Sequence, residues 1–209
     1  YGAAIITQSG MFSSDITMSQ RSLPLAYMVS AGNQAVLGPE DLLEFFADDP
    51  AVRAIGLHLE GLQNIPKFEK SAIKALTNGK PVVVIKTGSS NIGSNLTVSH
   101  TGSLSGSAEL YEALFQRVGI ISVTNPSQLL ETLKFLCVVG APKGKQVVGF
   151  TCSGGGATML ADHAEKIDLI FPKLESTQEA ELSALLPDIA TVSNPLDYTT
   201  PIWGQEEMT

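Results

Sequence analysis

The chain has 209 residues, of which 44% are hydrophobic and 16% are charged, and its formal net charge is -8 at pH 7. This composition is typical of a globular protein with a buried core and excludes a disordered chain. The acidic charge excludes a general electrostatic attraction to nucleic acid or anionic membranes, so any bound phosphate must be held by backbone N–H groups or a few placed cations.

Six short runs rich in β-branched residues predict strands at 3–7, 25–29, 53–59, 81–86, 119–123 and 146–151. They are nearly continuous apolar runs, as expected for strands covered on both faces. Helical spacing of apolar residues predicts helices within 38–50, 65–79, 108–118 and 129–137, with Pro39 in a first turn and Gly79 as a C-cap. The alternation predicts an α/β fold with a doubly wound parallel sheet.

A connector rich in Gly, Pro and Lys, residues 138–146, precedes the last predicted strand. We therefore predict two domains, 1–140 and 145–209, of which the second has too few strands for a complete sheet. The chain begins with Tyr1 rather than Met, and we expect it to be a piece of a longer protein. Its two cysteines, Cys137 and Cys152, suggest no disulfide framework, and we expect a cytoplasmic protein without a membrane span or signal peptide.

Polar and small residues follow each predicted strand of the first domain. Ser9 and Gly10 follow the first strand, Asn33 the second, Glu60 the third and Lys86 the fourth. Since ligands of open parallel sheets bind beyond the carboxyl ends of the strands, we expect these residues to share one rim.

The segment 87–105 is a long predicted loop in which 14 of 19 residues are Ser, Thr, Gly or Asn. Loops of this length are uncommon in compact domains and are often functional. Its one titratable side chain is His100, whose neutral imidazole is a nucleophile at physiological pH. The residues alone leave open a solvated surface histidine.

Glu60 ends the run "IGLHLEG" and could hold one nitrogen of an imidazole, leaving the other free to attack. An ordinary charged strand end is the alternative. His58, on the same strand face, is expected to pack in or near the core, and His163 to lie on a helix surface or in packing.

The segments "SGMFSSD" and "SGGGAT" are Gly-rich turns that open helices after strands. Such turns expose unpaired N–H groups at the positive end of a helix and suit phosphate, although glycine there can also serve tight geometry alone. Neither is a P-loop, since no Gly-Lys-Ser/Thr follows. Cys152, beside the second turn, could be a thiol of low pKa, but only its position favours this.

Six stretches together resemble the NDP-forming acyl-CoA synthetases, the relatives of succinyl-CoA synthetase and of ADP-forming acetyl-CoA synthetase. They are "AAIITQSGMF", "MVSAGNQAVLGPEDLLEFFADDP", "IGLHLEGL", "KPVVVIKTGSS", "SHTGSLSGS" and "TCSGGGATMLADHAEK", followed by "NPLD". The likeness runs in order from Tyr1 to about Asp197. It implies a flavodoxin-like, succinyl-CoA synthetase-like domain that carries a phosphohistidine loop, followed by the start of a second such ligase domain.

The resemblance implies an acid–thiol ligase that interconverts acyl-CoA, phosphate and ADP or GDP with acid, CoA and ATP or GTP. Acyl phosphate and phosphohistidine are its intermediates. It implies that His100 is phosphorylated and that Glu60 holds it. The residues expected to bind phosphate are Ser9, Gly10, Met11, Phe12, Ser153, Gly154, Gly155 and Gly156, from two helix N-termini that embrace the phosphate. The residues expected to contact substrate are Asn33, Lys86, Thr101 and Gly102.

CoA and the nucleotide with Mg would then bind a CoA-binding domain and an ATP-grasp domain, in the same chain or a partner subunit, and no protein metal site is expected here. The implied partners are small-molecule substrates and further copies in a homo-oligomer, with no nucleic acid and no membrane. A regulatory module that binds acyl-CoA or phosphate, as in a synthetase-like protein acetyltransferase, is the alternative. Retention of both His100 and Glu60 favours the ligase.

Overall fold

The structure is a computed structural model that describes residues 1–90, 92–93 and 108–204. The chain divides into two compact units, Tyr1–Ala141 and Pro142–Thr209, called here unit 1 and unit 2. Of the described helices, none has the length and apolarity that a membrane crossing requires.

Unit 1 is built on a five-stranded parallel sheet whose strand order is β2-β1-β3-β4-β5. The strands are β1 (Gly2–Thr7), β2 (Leu25–Ser30), β3 (Val52–Leu59), β4 (Val82–Lys86) and β5 (Ile121–Val123). This order is that of the flavodoxin-like folds and confirms the predicted doubly wound sheet. The order reverses between β1 and β3, and the crevice at their carboxyl ends is where such sheets bind ligands.

Among the described residues of unit 1, the following helices follow or connect these strands. They are α1 (Gly10–Thr17), α2 (Pro39–Asp48), α3 (Ile65–Thr77), α4 (Ala108–Val118) and α5 (Pro126–Val138). Side chains cap several N-termini: Ser9 accepts the N–H of Phe12, and Asn64 that of Lys67. Pro39 occupies the first turn of α2, and Gly79 follows α3 with a φ of +72°, which glycine adopts without a Cβ penalty.

Apolar side chains on the two faces of the sheet form two clusters. One face packs against α2, α3 and α4, with Leu43, Phe68 and Phe115 fully or almost fully buried. The other packs against α1 and α5, with Ile16 and Leu133 in the cluster. Burial of one such side chain stabilises the fold by about 1.5–3 kcal/mol, so the two clusters hold the helices on their faces and fix where α1 begins.

Unit 2 contains a short two-stranded parallel sheet, β6 (Phe150–Thr151) with β7 (Leu196–Asp197). Its helices are α6 (Gly154–Lys166), α7 (Ser176–Leu185) and a 3₁₀ turn, Thr200–Ile202. The strand predicted over 146–151 was too long: only its last two residues pair with β7, and Gln146 forms an isolated bridge to Ile170. The predicted strand does contain an apolar run, but β7 has only two residues with which this run can pair. That unit 2 begins a second flavodoxin-like domain stays a prediction.

Candidate functional site

The turn from β1 into α1 lies at the carboxyl edge of the sheet, beside the end of β3. We call Thr7–Gly10 the first turn. Its Ser9 has an extended backbone, accepts the N–H of Phe12 on its Oγ at 3.3 Å, and so acts as the N-cap of α1. The Thr7 hydroxyl accepts the N–H of Ser9 at 3.0 Å.

The first two N–H groups of α1, those of Gly10 and Met11, have no partner among the described residues. Four N–H groups at a helix start lack intrahelical partners, and here the hydroxyls of Thr7 and Ser9 accept those of Ser9 and Phe12. No acidic residue lies in this turn, and a Cβ placed on Gly10 would have open space around it. The turn therefore presents two donors and a helix dipole to an incoming anion.

Gln8 joins the first turn to the end of β3. Its side chain is 4% exposed. Its Nε2 donates to the carbonyl of Gly61 at 2.7 Å, and its Oε1 accepts the N–H groups of Glu60 and Gly61. The backbone of Glu60 is thereby fixed next to the first turn. Sequence reasoning missed Gln8, and a glutamine directly after an apolar strand is the only local signal for it.

Lys86 and Glu60 lie at neighbouring strand ends and are both half-buried. Burial lowers the pKa of Lys86, and the negative charge of Glu60 acts against that shift. The Lys86 ammonium donates to the carbonyl of Thr87 at 2.5 Å and lies 4.7 Å from the ring centre of Tyr111. A cavity of about 870 Å³ adjoins it, lined also by Ser89, Ser122 and Thr124. The cation expected to contact substrate thus faces open space.

The loop after β2 brings a second glutamine to the same strand end. Asn33, expected to contact substrate, is exposed, whereas its neighbour Gln34 is 4% exposed and has a φ of +57°. Gln34 donates to the carbonyl of Gly61 at 3.4 Å, and Gln63 donates to the carbonyl of Gln34 at 3.2 Å. Asn33 is therefore presented to solvent from a loop that is tied to the end of β3.

His58 is buried under the first turn and is 7% exposed. Its Nδ1 lies 2.9 Å from the Thr7 hydroxyl, its Nε2 lies 3.5 Å from that of Thr87, and its ring stacks on Phe12 with centroids 4.4 Å apart. Burial, and then the positive charge of Lys86, lower the pKa of His58 to about 4. The ring is neutral at physiological pH, and the expectation that it packs in or near the core is met.

Three residues expected in the site lie outside the described residues: the proposed nucleophile His100, and Thr101 and Gly102, which were expected to contact substrate. Their roles stay predictions. The described residues contain no group of three or more His, Cys, Asp and Glu side chains that could hold a metal ion.

Unit 2 contains a turn of the same construction, Thr151–Gly154, called here the second turn. Ser153 accepts the N–H of Gly156 on its Oγ at 3.2 Å, and the Thr151 hydroxyl accepts the N–H of Ser153 at 3.3 Å. The N–H groups of Gly154 and Gly155 have no partner among the described residues. The two Gly-rich turns of the sequence, "SGMFSSD" and "SGGGAT", thus share one local hydrogen-bonding pattern.

The surroundings of the second turn differ from those of the first. A Cβ on Gly156 would lie 2.3 Å from the Thr151 hydroxyl, so this glycine is required by close packing. A Cβ on Gly154 would lie 3.4 Å from a carboxylate oxygen of Asp197, whose other oxygen accepts the N–H of Thr199 at 2.9 Å. A carboxylate therefore stands beside the start of α6.

Comparison with known proteins places this architecture in a family. Residues 2–136 match the model of the succinyl-CoA ligase-like flavodoxin domain. The chain is 34% identical over 205 residues to the alpha subunit of the ADP-forming acetate–CoA ligase II of Pyrococcus furiosus, covering 97% of this chain and 44% of that protein. It is 32% identical over 198 residues to the ADP-forming acetate–CoA ligase of Methanocaldococcus jannaschii, covering 94% of this chain and 28% of that protein.

Among solved structures, the chain is similar to the dinucleotide-forming acetyl-coenzyme A synthetase 1 of Candidatus Korarchaeum cryptofilum in complex with phosphate and ADP. The TM-score is 0.81 at 29% identity, over 95% of this chain and 43% of that one. The chain therefore spans less than half the length of these relatives.

Proposed function

The chain belongs to the NDP-forming acyl-CoA synthetases through its succinyl-CoA ligase-like flavodoxin domain, and from this premise we propose that it is the part of such an acid–thiol ligase that accepts the phosphoryl group on His100. In the proposed reaction, phosphate attacks the thioester carbon of acyl-CoA, forming acyl phosphate and releasing CoA. A nitrogen of His100 then attacks the phosphorus, releasing the carboxylate. An oxygen of ADP or GDP finally takes the phosphoryl group from the histidine.

The observation that carries the proposal is the pair of unpartnered N–H groups at the first turn, beside the end of β3 that carries Glu60. One helix N-terminus offers about half a positive charge, whereas a phosphoryl group carries close to two negative charges and three acceptor oxygens. Backbone donors suit a chain with a net charge of -8, because they bind the anion without a buried cation that must be desolvated whenever the site is empty.

Residues at and near the two turns have distinct roles in this proposal. Gly10 and Met11 donate to phosphoryl oxygens. Glu60 accepts a hydrogen bond from one nitrogen of His100 and leaves the other free to attack. Lys86, which faces the adjoining cavity, contacts the substrate. The second turn, through Gly154 and Gly155, contributes the second set of donors.

The relatives named above are ligases, and this favours the ligase over the alternative, a regulatory module. Because the chain spans less than half of their length, we propose that a CoA-binding domain and an ATP-grasp domain act with it, in the same chain or a partner subunit. CoA and the nucleotide with Mg would bind there. We propose a cytoplasmic homo-oligomer.

Labelling with γ-³²P-ATP or γ-³²P-GTP tests the proposal in the complete natural protein that contains this chain. We expect a protein-bound label that is labile in acid and stable in base, as a phosphoramidate is. His100→Asn should abolish it, whereas His163→Asn, an exposed position on α6, is the matched control and should not. Label that persists in His100→Asn at the wild-type level would refute the assignment. A panel of acyl-CoAs, beginning with acetyl-CoA, then identifies the acyl group.

A further inference from the structure

His58 connects three elements of the site that are far apart in sequence. Its Nδ1 contacts Thr7 at the end of β1, its Nε2 contacts Thr87 directly after β4, and its ring stacks on Phe12 of α1 at an interplanar angle of 15°. Thr87 opens the segment that carries His100 thirteen positions later. The imidazole therefore touches the first turn on one side and the start of the His100 segment on the other.

The hydrogen bonds around the ring form one directed chain. The Thr7 hydroxyl accepts the N–H of Ser9 at 3.0 Å, and its own proton has two acceptors in reach: Nδ1 of His58 at 2.9 Å and the Ser9 carbonyl at 3.3 Å. We assign the proton to the shorter contact. The imidazole proton is then on Nε2 and faces the Thr87 hydroxyl, which donates to the carbonyl of Leu59 at 3.3 Å.

This chain of hydrogen bonds leads to the N–H groups that we propose as anion-binding donors. Thr7 holds the N–H of Ser9, Ser9 caps α1, and the unpartnered N–H groups of Gly10 and Met11 follow directly. Both ring nitrogens already have partners, and the ring is 7% exposed. The imidazole is therefore placed to hold the turn and is not open to a reactant.

We propose that His58 is a positioning residue, which orients the first turn toward the phosphoryl group by a hydrogen bond to Thr7 and ties that turn to the start of the His100 segment through Thr87. The proposal rests on the proposed function, since it names the first turn as the phosphate site. The neutral state of the ring agrees with it: burial and the charge of Lys86 hold the pKa of His58 near 4, and Glu60, the other charged group near this strand end, acts on Lys86.

Steady-state kinetics of the complete protein, measured with acyl-CoA, phosphate and ADP, test this role. His58→Phe keeps a ring against Phe12 and removes the hydrogen bonds to Thr7 and Thr87. Thr7→Val removes the bond to His58 from the other side, together with the acceptor of the Ser9 N–H. We expect each to raise the KM for phosphate about tenfold with the KM for ADP unchanged. The effect of the double variant should be smaller than the sum of the two single effects, because both variants remove the hydrogen bond between Thr7 and His58.

His58→Asn provides the rescue, since its amide oxygen stands near the position of Nδ1 and can accept from Thr7. Its KM for phosphate should return toward the wild-type value, and if His58→Phe does not fold, His58→Asn and Thr7→Val make the same comparison. His163→Asn is again the control. A wild-type KM for phosphate in Thr7→Val, an equal rise in every KM, or additive effects in the double variant would overturn the proposal.

The phosphohistidine assay separates the two proposals. If the wild-type protein forms no phosphohistidine, the proposed function is wrong and the role of His58 falls with it. If the wild-type protein forms phosphohistidine while the His58 and Thr7 variants keep the wild-type KM for phosphate, only the positioning role is wrong.

Discussion

The first and second turns share one hydrogen-bonding pattern and differ in what lies behind it. In both, a Thr hydroxyl accepts the N–H of a capping Ser, and the first two N–H groups of the helix have no partner among the described residues. Behind the first turn is the neutral ring of His58, and Lys86 lies near Glu60. Asp197 lies beside the second turn and forms no salt bridge among the described residues.

In both turns, the local sequence determines where the N–H donors lie. The surroundings of these donors come from residues that are far away in the sequence. The four-residue pattern Thr-x-Ser-Gly suffices for the turn. His58 and Asp197 lie 51 and 46 positions from the threonine of their turns, outside the local pattern that forms each turn.

We expect the largest effect on phosphohistidine formation from Glu60→Gln, which replaces the carboxylate near the first turn with a neutral amide. Loss of a carboxylate that orients a catalytic imidazole costs about 10⁴-fold in the protease triad, and we expect phosphohistidine formation to fall by a similar factor. Rapid-quench labelling measures the rate, and the thermal midpoint should stay at the wild-type value. Glu131→Gln, a surface residue near Arg21, is the control. A wild-type labelling rate would make Glu60 a surface charge only.

The pH dependence of stability should distinguish the two turns, because among the described residues only the first turn contacts a buried imidazole. The pKa of His58 lies at about 4 in the folded protein, against 6.5 for an ordinary histidine, so between these limits the unfolded state binds more protons. The contribution of His58 is complete above pH 6.5 and is lost as the pH falls toward 4, a change on the order of 3 kcal/mol.

Thermal unfolding from about pH 7.5 to about pH 4 measures this slope. The midpoint of His58→Phe should fall less steeply than that of the wild-type protein, while His163→Asn keeps the wild-type slope. Parallel curves for His58→Phe and wild type would show that folding does not lower the pKa of the imidazole.

Valine at the open glycine of each turn tests whether both turns bind phosphate. A Cβ on Gly10 or Gly155 meets nothing within 4 Å, so Gly10→Val and Gly155→Val should fold normally and block only close approach of the anion. We expect each to lower phosphohistidine formation about tenfold, the worth of a charge-assisted hydrogen bond. Gly156→Val, which clashes with the Thr151 hydroxyl, should instead lower the thermal midpoint. If only Gly10→Val impairs labelling, the second turn is structural.

Asp197→Asn should have the smallest effect and an opposite sign. It removes the negative charge beside the start of α6 while keeping an oxygen for the N–H of Thr199. A charge at a helix N-terminus contributes about 0.3–1 kcal/mol, so the KM for phosphate should fall about two- to fivefold. A rise in this KM would show that Asp197 helps to bind the phosphate rather than repelling it.

The sequence predicted the parts of this site that short-range chemistry determines. Apolar runs predict the strands, and Ser-Gly after a strand predicts a capped helix with open N–H groups, as found at Ser9 and Ser153. The contacts of Gln8 with Gly61 and of His58 with Thr7 span 53 and 51 positions. They depend on which strands become neighbours, which no local pattern contains. The strand predicted at 146–151 was too long for the same reason, since the length of the observed strand depends on its pairing with β7.

The side chain of Gln8 continues the hydrogen bonding between β1 and β3 beyond the last paired residues of these strands. Strands β1 and β3 pair up to Thr7 and His58, and the side-chain amide of Gln8 then serves Glu60 and Gly61 as a neighbouring strand's backbone would. The amide protons of these two residues, although they lie beyond the strand, should exchange with solvent as slowly as those of the sheet. The carboxylate of Glu60 is thus attached to a rigid backbone. Gln8, which makes this backbone rigid, lies far away in the sequence.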